Sequence, residues 1–276
     1  MSTYNDASLI YYPSGYKAGT AYSLKPTDGT GDLTFTRAST ATRVNESGLI
    51  EEVAANVPRL DNSQGGCSTL LLEPQRTNLA TNSLGFSVFS GASIASETTE
   101  NPLGDTSDVF KTTYTSLGGV RLNQNVSLVS GNTYCIGSFI KFSEAISLMF
   151  EMATSIVSTS SGTFNFDASG NPSVSGDVYY INYPNGWYYV YIKSVIISSG
   201  LSRINLTANS GSFLIYKSQY ELGSYPTSYI PTTTTAVTRV LDNASVTTPA
   251  GVTQITETFA DGSTCLLYTS PSPRDS

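Results

Sequence analysis

The sequence predicts an all-β fold: a jelly-roll β-sandwich preceded by an N-terminal extended β arm. Three observations support this prediction. Only 13% of the 276 residues are charged, and the chain has 18 Tyr, a composition that favours strands over helices. No segment keeps the i, i+3, i+4, i+7 apolar spacing of an amphipathic helix. From Phe86 onward, short alternating segments recur at the spacing of a sandwich.

We predict ten strands in the two sheets of this sandwich. The breaks between them contain Gly, Asn, Pro and Ser, which are the residues that β-turns require. Alternate side chains of each strand are expected to fill a common core between the sheets. The predicted strands are 86–94, 108–114, 120–128, 133–142, 146–153, 162–166, 174–181, 187–197, 203–208 and 212–221.

The chain is predicted to divide into four regions. Residues 1–69 form the N-terminal β arm and a hairpin, residues 70–240 the jelly roll, and residues 241–264 the start of a C-terminal stem or small β element. Residues 265–276 match a translated sequencing adapter, so we expect the natural chain to differ there and the source to be metagenomic.

A hairpin is predicted inside the first region, because two alternating segments flank a Glu-Ser-Gly turn at 46–48. In this hairpin, Arg37 and Arg43 are expected to pair with Glu51 or Glu52. Such surface ion pairs contribute little to stability.

Charge and hydropathy exclude several classes of function. The net charge is −7, which argues against binding to nucleic acid, because that binding depends on Lys and Arg facing phosphates. The same charge argues against an anionic membrane surface. No apolar run approaches 18 residues, so no membrane insertion is predicted. The N-terminus lacks the basic region and apolar core of a secretory signal.

The residue types needed for common catalytic and metal sites are sparse. The chain has no His, which excludes a Ser-His-Asp or Cys-His nucleophile within it. Its cysteines, Cys67, Cys135 and Cys265, form no C-x-x-C pair. No cofactor is predicted. The loop at 167–171 resembles a calcium loop only faintly, and a turn between strands explains it better; a structural calcium remains an alternative.

Paired carboxylates could indicate hydrolysis of a glycoside, since glycosidases use two facing acids at a set separation. The acids that lie in the predicted sandwich show no spacing that pairs them, and the protein is therefore predicted not to be an enzyme. These acids are Glu144, Glu151, Asp167, Asp177 and Glu221.

Aromatic residues near the turn at 184–186 are the candidate ligand contacts. On the following strand, alternation places Trp187, Tyr189 and Tyr191 on one face. That row fits a platform on which a sugar ring could pack, but a core position for Trp187 is the other interpretation. The candidate ligand-binding residues are Tyr179, Tyr180, Tyr183, Asn185 and Trp187.

The segment LLLEPQRTNL at 70–79 connects the N-terminal region to the sandwich. Its three leucines predict a buried strand end, and Pro74 is expected to stop that strand. Pairing of Glu73 with Arg76 would make this segment a structural joint; a ligand site is the alternative.

This segment, an apolar run followed by E-P-Q-x-T-N-L, resembles one found in tail, fibre and head-spike proteins of tailed bacteriophages. Two further segments resemble the same group of proteins. They are FTRASTATRVN at 35–45 and QYELGSYPTSYIPT at 219–232. The resemblance implies a virion surface protein with a jelly roll like those of carbohydrate-binding modules, of the concanavalin- or galactose-binding-like kind.

From this resemblance we expect a non-enzymatic tail-fibre or head-spike protein that attaches to a glycan of the bacterial surface. It would be made in the host cytoplasm without a signal peptide and assembled into the virion with other virion proteins, as a homo-oligomer for which a trimer is expected. One alternative is a purely structural particle module without a ligand. A second is a glycan-degrading tailspike-type enzyme.

Overall fold

The computed structural model describes residues 9–17, 20–63, 68–89, 91–122, 126–152, 157, 161–183, 185–201, 204–246, 254–258 and 264–268. Throughout these residues the regular elements are β-strands, so the predicted all-β fold is confirmed. Within the same ranges, no helix could cross a membrane. Cys67 and Pro184, which belong to features of the sequence analysis, lie outside the described residues.

The strands are numbered here in chain order. They are β1 Ile10–Lys17, β2 Thr20–Lys25, β3 Leu33–Thr36, β4 Ala41–Val44, β5 Ile50–Val53, β6 Arg59–Asp61, β7 Thr69–Leu71, β8 Arg76–Asn78, β9 Phe86–Phe89, β10 Ala92–Glu97, β11 Val109–Tyr114, β12 Gly118–Leu122, β13 Ser127–Leu128, β14 Thr133–Phe142, β15 Ile146–Met152, β16 Ser161–Phe166, β17 Pro172–Gly176, β18 Val178–Asn182, β19 Tyr188–Val195, β20 Gly200–Leu201, β21 Ile204–Ala208, β22 Gly211–Leu222, β23 Val237–Arg239, β24 Asn243–Val246, β25 Gln254–Thr258 and β26 Thr264–Tyr268.

The chain forms two compact units. Unit 1 comprises Met1–Thr36, Asn56–Pro58 and Asn243–Ser276. Its described part contains an antiparallel sheet in the order β1-β2-β3-β24 and the hairpin β25-β26. Unit 2 comprises Arg37–Ala55 and Arg59–Asp242, and it contains the sandwich.

Two six-stranded antiparallel sheets make up the sandwich of unit 2. The front sheet has the order β10-β11-β22-β14-β19-β18, and the back sheet has the order β17-β16-β15-β21-β12-β9. The chain passes repeatedly from one sheet to the other, for example between β11 and β12, β14 and β15, and β21 and β22, as the predicted jelly roll requires. The predicted strand 133–142 matches β14 at both ends.

The inner faces of the two sheets enclose the main core. Ile136 and Val190 of the front sheet and Phe150, Phe164 and Leu206 of the back sheet are all completely buried in it. Strong alternation in β15, where buried and exposed residues follow one another, shows why the sequence pattern identified these strands. Burial of such side chains is the main favourable contribution to folding.

A second core lies on the outer face of the front sheet. Phe139, Tyr189 and Tyr216 project from that face and pack against Ile50 and Tyr229. Ile50 and Tyr229 belong to four segments that hydrogen-bond to one another. These segments, residues 37–55, 59–63, 68–80 and 224–242, are called the covering layer below. They include most residues of the three segments that resemble phage proteins, so those segments, which lie far apart in sequence, contact one another in the fold.

A β-bulge at Lys217 decides which residues of β22 reach this outer face. The pairing of β22 with β14 shifts between Ser138 and Phe139, and Lys217 is the extra residue, with a φ of 24°. Because a bulge reverses the alternation of side chains, Tyr216 before it and Gln219 after it point to the same face.

Buried ion pairs hold the covering layer together. The carboxylate of Asp242 accepts a hydrogen bond from Arg37 Nη1 at 2.9 Å and pairs with Arg59 Nη2. Glu73 accepts from Arg59 Nη1 at 2.7 Å, and its Oε2 lies 3.4 Å from Arg239 Nη2. The side chains of Arg37, Arg59 and Asp242 have no exposed surface.

The hairpin β4–β5 confirms one predicted ion pair and corrects another. Arg43 and Glu51 pair at 2.5 Å across it. The pairing predicted for Arg37 is wrong, since its guanidinium turns inward to Asp242 instead.

The segment 70–79 also differs from its prediction. Glu73 pairs with Arg59 and Arg239 rather than with Arg76. Leu72, expected at a buried strand end, is 48% exposed. Among the strands that the structure describes, β7 pairs with β6 alone, so the apolar run belongs to neither sheet of the sandwich.

The buried pairs generate a stability prediction. The substitution Asp242→Asn is expected to lower the free energy of unfolding of unit 2 by about 3–5 kcal/mol, because it leaves Arg37 buried without its carboxylate partner and leaves Arg59 with Glu73 as its one acid. Urea unfolding followed by tryptophan fluorescence measures this loss, since Trp187, the single tryptophan, is fully buried in unit 2.

Glu51→Gln provides the matched control, because it neutralises one acid of the half-exposed pair with Arg43. Its expected cost is about 1 kcal/mol or less. Equal losses for Asp242→Asn and Glu51→Gln would contradict the assignment of the buried pairs as the main ties of the covering layer.

A second prediction concerns pH. Burial raises the pKa of Glu221 above its ordinary value of 4.5, although Thr227 and Gln219 donate hydrogen bonds to its carboxylate. An acid with a raised pKa in the folded state binds its proton more tightly there than when unfolded. Its contribution to stability is therefore fully present below pH 4.5 and is lost as pH rises through the folded-state pKa.

Glu221→Gln removes this titration. The free energy of unfolding of the variant should therefore fall less than that of the parent as pH rises above 4.5. Urea unfolding at several pH values, compared as a difference between the two proteins, measures the slope. Parallel pH profiles would show that Glu221 titrates in the folded protein as it does when unfolded.

Candidate ligand surface on the front sheet

The outer face of the front sheet is only partly covered. The covering layer and its aromatic contacts bury Phe139 and Tyr189. Beyond Tyr189 the side chains on this face of β19 become more exposed. Tyr191 and Lys193 are half-buried, and Val195, at the end of β19, is 55% exposed. Opposite Tyr191 on the edge strand β18 lies Tyr179, which is also half-buried. Tyr179, Tyr191, Lys193 and Val195 are called the open strip.

Three tyrosine rings form a continuous stack that leads from the covered half into the open strip. The ring centroids of Tyr189 and Tyr191 lie 5.9 Å apart, with 22° between the ring planes. Those of Tyr191 and Tyr179 lie 5.5 Å apart, with 25° between the planes. Stacked aromatic pairs of this kind stabilise by about 0.5–1.5 kcal/mol beyond the area that they bury.

A lysine ends this stack. Lys193 lies two residues beyond Tyr191 on β19, and its Nζ lies over the ring of Tyr179, 5.0 Å from the centroid. A cation in this position is attracted by the negative face of the ring.

The floor beneath the open strip comes from β14. Gly137 pairs with Tyr191 and Cys135 pairs with Lys193. A Cβ added at Gly137 would lie 2.7 Å from the Cβ of Tyr191 and 2.4 Å from the carbonyl oxygen of Val190, so only glycine allows this close approach of Tyr191. Cys135 is completely buried, and burial raises the pKa of its thiol to about 12; the thiol is therefore neutral.

Trp187 lies in the core, which is one of the two interpretations of the sequence. It is fully buried, its ring packs edge-on against Tyr216 with centroids 6.2 Å apart, and its Nε1 donates to the carbonyl of Glu100 at 3.0 Å. Its alternation with Tyr189 and Tyr191 is as predicted, since all three belong to the outer-face core. The indole ring itself offers no surface to a ligand.

The structure separates the other candidate residues instead of bringing them together. Tyr180 points inward and packs edge-on against Phe164 of the main core, 5.5 Å between centroids. Tyr183 packs edge-on against Phe139 at 5.2 Å. Burial raises the pKa of the Tyr183 hydroxyl above its ordinary value. Of the predicted tyrosines, Tyr179 alone belongs to the open strip.

Asn185 has a local structural role. Its side-chain Nδ2 donates to the backbone carbonyl of Asn101 at 3.5 Å, and its backbone carbonyl accepts a hydrogen bond from Lys141 Nζ at 3.2 Å. It follows Tyr183 in the turn that Gly186 completes with a φ of 80°, where Tyr183 N donates to the carbonyl of Trp187. The side chain of Asn185 thus links this turn to the loop at Asn101.

Sequence analysis placed Tyr191 in the row that fits a sugar platform, but it included neither Tyr191 nor Lys193 among the candidate ligand-binding residues. The signal was present in part, because alternation already placed Tyr191 on the outer face. What alternation cannot give is the register that pairs Tyr191 with Tyr179, or the fact that the covering layer ends at Tyr189. Both depend on tertiary pairing.

Three of the five acids considered for catalysis accept hydrogen bonds within the fold. Glu221 is buried and accepts from the backbone of Thr227. Glu144 accepts from Ser212 Oγ at 2.5 Å. Asp167 accepts from the backbone N–H groups of Ser169 and Asn171, each at 2.8 Å, in the turn between β16 and β17. Among the described residues, no group of three or more His, Cys, Asp or Glu could hold a metal ion.

A polar cleft lies elsewhere in unit 2, beside the hairpin β4–β5. It has a volume of about 330 Å³ and is lined by residues that include Arg43, Asn45, Glu51 and Asn62. Two of its charged groups are already paired, because Arg43 binds Glu51 and donates to the carbonyl of Leu60 at 3.3 Å. The open strip is therefore the stronger candidate for a ligand surface.

The chain matches no protein-family model and no curated protein. Its similarities are to solved structures of carbohydrate-binding modules. The xylan-binding CBM22-1 domain of Paenibacillus barcinonensis Xyn10C is 12% identical over 55% of this chain and 94% of that chain, with a TM-score of 0.34.

The C-terminal family 22 carbohydrate-binding module of Clostridium thermocellum Xyn10B is 14% identical over 55% of this chain and 94% of that chain, with a TM-score of 0.33. A carbohydrate-binding module of the β-sandwich superfamily is 11% identical over 77% of this chain and 96% of that chain, also with a TM-score of 0.33. These similarities are weak, and the description of the fold given above rests on the strand order of the protein itself.

Proposed function

We propose that this protein is a non-enzymatic virion surface protein, of the tail-fibre or head-spike kind, that attaches to a glycan of the bacterial surface through the open strip of its jelly roll. The observation that carries the glycan-binding part of the proposal is the tyrosine stack, whose accessible end is Tyr179. Tyr rings combine an apolar face with a polar hydroxyl, the combination that suits a ligand with apolar ring faces and many hydroxyl groups.

The geometry of the stack supports this role. Tyr191 and Tyr179 are held in fixed positions, Tyr191 by Tyr189 and by close contact with Gly137, and Tyr179 by its pairing with Tyr191. A rigid aromatic surface loses little conformational freedom on binding, which favours affinity. In an oligomer, the open strips of several subunits would bind the same bacterial surface at once. Avidity would then give tight overall binding even if the affinity of each single strip is low.

The proposed place in a virion rests on the three segments that resemble phage proteins. Much of each segment belongs to the covering layer, where Arg37, Arg59 and Glu73 form the buried ion pairs together with Asp242. Arg37, Arg59 and Asp242 are fully buried and offer no surface to a ligand, and Glu73 is occupied by its ion pairs. The segments therefore support membership of a structural class, while the glycan would be bound by residues outside them.

The experiment that tests the proposal begins with the full-length chain on an array of bacterial surface glycans. The expected result is selective binding to a subset of them. For a glycan that binds, Tyr179→Ala should weaken affinity about tenfold or more, because it removes the accessible ring of the stack; tenfold corresponds to about 1.4 kcal/mol. Titration calorimetry with the soluble oligosaccharide measures the change.

Tyr225→Ala is the matched control. Tyr225 is 49% exposed in the same unit and also has a cation over its ring, Arg76 at 5.2 Å, but it is not part of the stack. This variant should bind like the parent. Unchanged fluorescence of Trp187 checks that both variants are folded.

Other outcomes would favour other functions. No binding by a folded protein would favour a purely structural particle module. Release of shortened oligosaccharides from a bound polysaccharide would favour a glycan-degrading enzyme. Equal affinity of Tyr179→Ala and the parent would place the glycan elsewhere on the protein.

A further inference from the structure

The outer face of the back sheet carries an ordered set of side chains that the proposed function does not use. We propose that this face holds a second glycan-binding surface, which takes a neutral, hydroxyl-rich glycan laid across the strands. This inference goes beyond the proposed function, because the open strip lies on the outer face of the opposite sheet. The residues of the second surface are called the back strip: Phe89, Thr207, Met149, Arg121, Asn205 and Glu151.

Strand register arranges the back strip in two parallel rows that cross the sheet. The first row contains, in the order of their pairing, Phe89, Gly119, Thr207 and Met149. The second row contains Arg121, Asn205 and Glu151. The alternate residues of these strands, such as Leu206 and Phe150, point into the main core, so both rows face outward. Since neighbouring strands lie about 4.8 Å apart, the first row is about 14 Å long, and the second row runs about 7 Å from it.

The first row offers apolar surface at both of its ends. The ring of Phe89 is half-buried and lies directly over Gly119, where an added Cβ would be 2.0 Å from Phe89 Cζ. The guanidinium of Arg121 lies over the same ring, with its Cζ 5.3 Å from the centroid, and such a contact is attractive. The ring is therefore held against the sheet while part of it stays accessible. At the other end of the row, Met149 is 40% exposed.

The second row offers hydrogen-bond donors and an acceptor. Arg121 Nε donates to Asn205 Oδ1 at 3.1 Å, which orients both side chains. Within the described part of the chain, no group accepts a hydrogen bond from the terminal nitrogens of Arg121 or from Asn205 Nδ2, and none donates to the Glu151 carboxylate. A sugar hydroxyl both donates and accepts, so a chain of hydroxyl groups can pair with the donors at one end of this row and with Glu151 at the other.

Charge and size favour a neutral glycan over other ligands. The back strip contains one cation, Arg121, and one anion, Glu151, so a charged ligand would be attracted by one and repelled by the other. A stable protein partner would cover about 800 Å² of this protein, mostly around apolar anchors. The rest of this face instead carries short polar side chains, namely Ser147, Thr163, Asn165, Ser173 and Ser175. An apolar row beside a polar row fits sugar rings, which have apolar faces and hydroxyl edges.

The test uses the full-length protein with the substitution Tyr179→Ala, which removes the accessible ring of the open strip, on an array of neutral bacterial surface glycans. This variant should still bind at least one of them. Adding Arg121→Met should then weaken the affinity for that glycan about tenfold, measured by titration calorimetry with the soluble oligosaccharide. Because the ligand is neutral, affinity should stay the same as ionic strength rises from about 0.01 M to about 1 M, although the Debye length falls from about 30 Å to about 3 Å.

Two further substitutions in the Tyr179→Ala background complete the design. Gly119→Ala keeps every side chain of the back strip but displaces the Phe89 ring from the sheet, so it should also weaken binding about tenfold. Lys111→Met removes a positive charge from an exposed residue of the front sheet and should leave the affinity unchanged. The fluorescence of Trp187, which is fully buried in the same unit, checks that each variant is folded.

The outcomes separate this inference from the proposed function. If Tyr179→Ala alone abolishes binding to every glycan, the inference is wrong and the proposed function stands. If Tyr179→Ala still binds, but neither Arg121→Met nor Gly119→Ala weakens that binding, the inference is also wrong. If Tyr179→Ala binds like the parent and Arg121→Met removes the binding, the inference stands and the open strip is not the attachment site. If a folded parent binds no glycan, both fail.

Discussion

The carboxylate of Asp242 is the contact on which the arrangement of unit 2 depends. It binds Arg37 and Arg59, which approach it from two different segments of the chain, and all three side chains are fully buried. A buried charge is very costly without its partner. The segments that carry these residues can therefore fold only together, and the covering layer behaves as one piece although its parts lie far apart in sequence.

This constraint determines which surface of the sandwich remains accessible. Ile50 and Tyr229 of the covering layer pack on part of the outer face of the front sheet, where Tyr229 contacts Phe139. The bulge at Lys217 adds to this division, because it turns Gln219 towards the covering layer, where its side chain binds the backbone of Ile230. The tyrosine stack crosses the boundary between the halves: Tyr189 is covered, and Tyr179 is accessible.

The comparison of Trp187 with Tyr179 shows how far sequence reasoning reached at the ligand surface. Alternation identified correctly which residues of β19 share a face, since that depends only on the geometry of a strand. It did not show which part of the face is covered. Trp187 and Tyr191 share the face, yet the covering layer and its neighbours bury the first and leave the second half-exposed.

The ion pairs show the same limit of sequence reasoning, here for the fold. Arg43 and Glu51 pair as predicted because both lie on one hairpin, where separation along the chain fixes separation in space. Arg37 does not pair as predicted, because its partner, Asp242, lies 205 positions away in the sequence. Local patterns contain no information about a partner so distant when no related sequences are compared.

The sequence by itself determined the all-β class, the position of most sandwich strands and the inward or outward direction of their side chains. These follow from composition, turn residues and a period of two, all of which are local. The tertiary structure alone decided the register between β18 and β19, the partners of the buried arginines and the extent of the covering layer. Those features arise from contacts between distant segments, and together they leave Tyr179 and Lys193 on an accessible face.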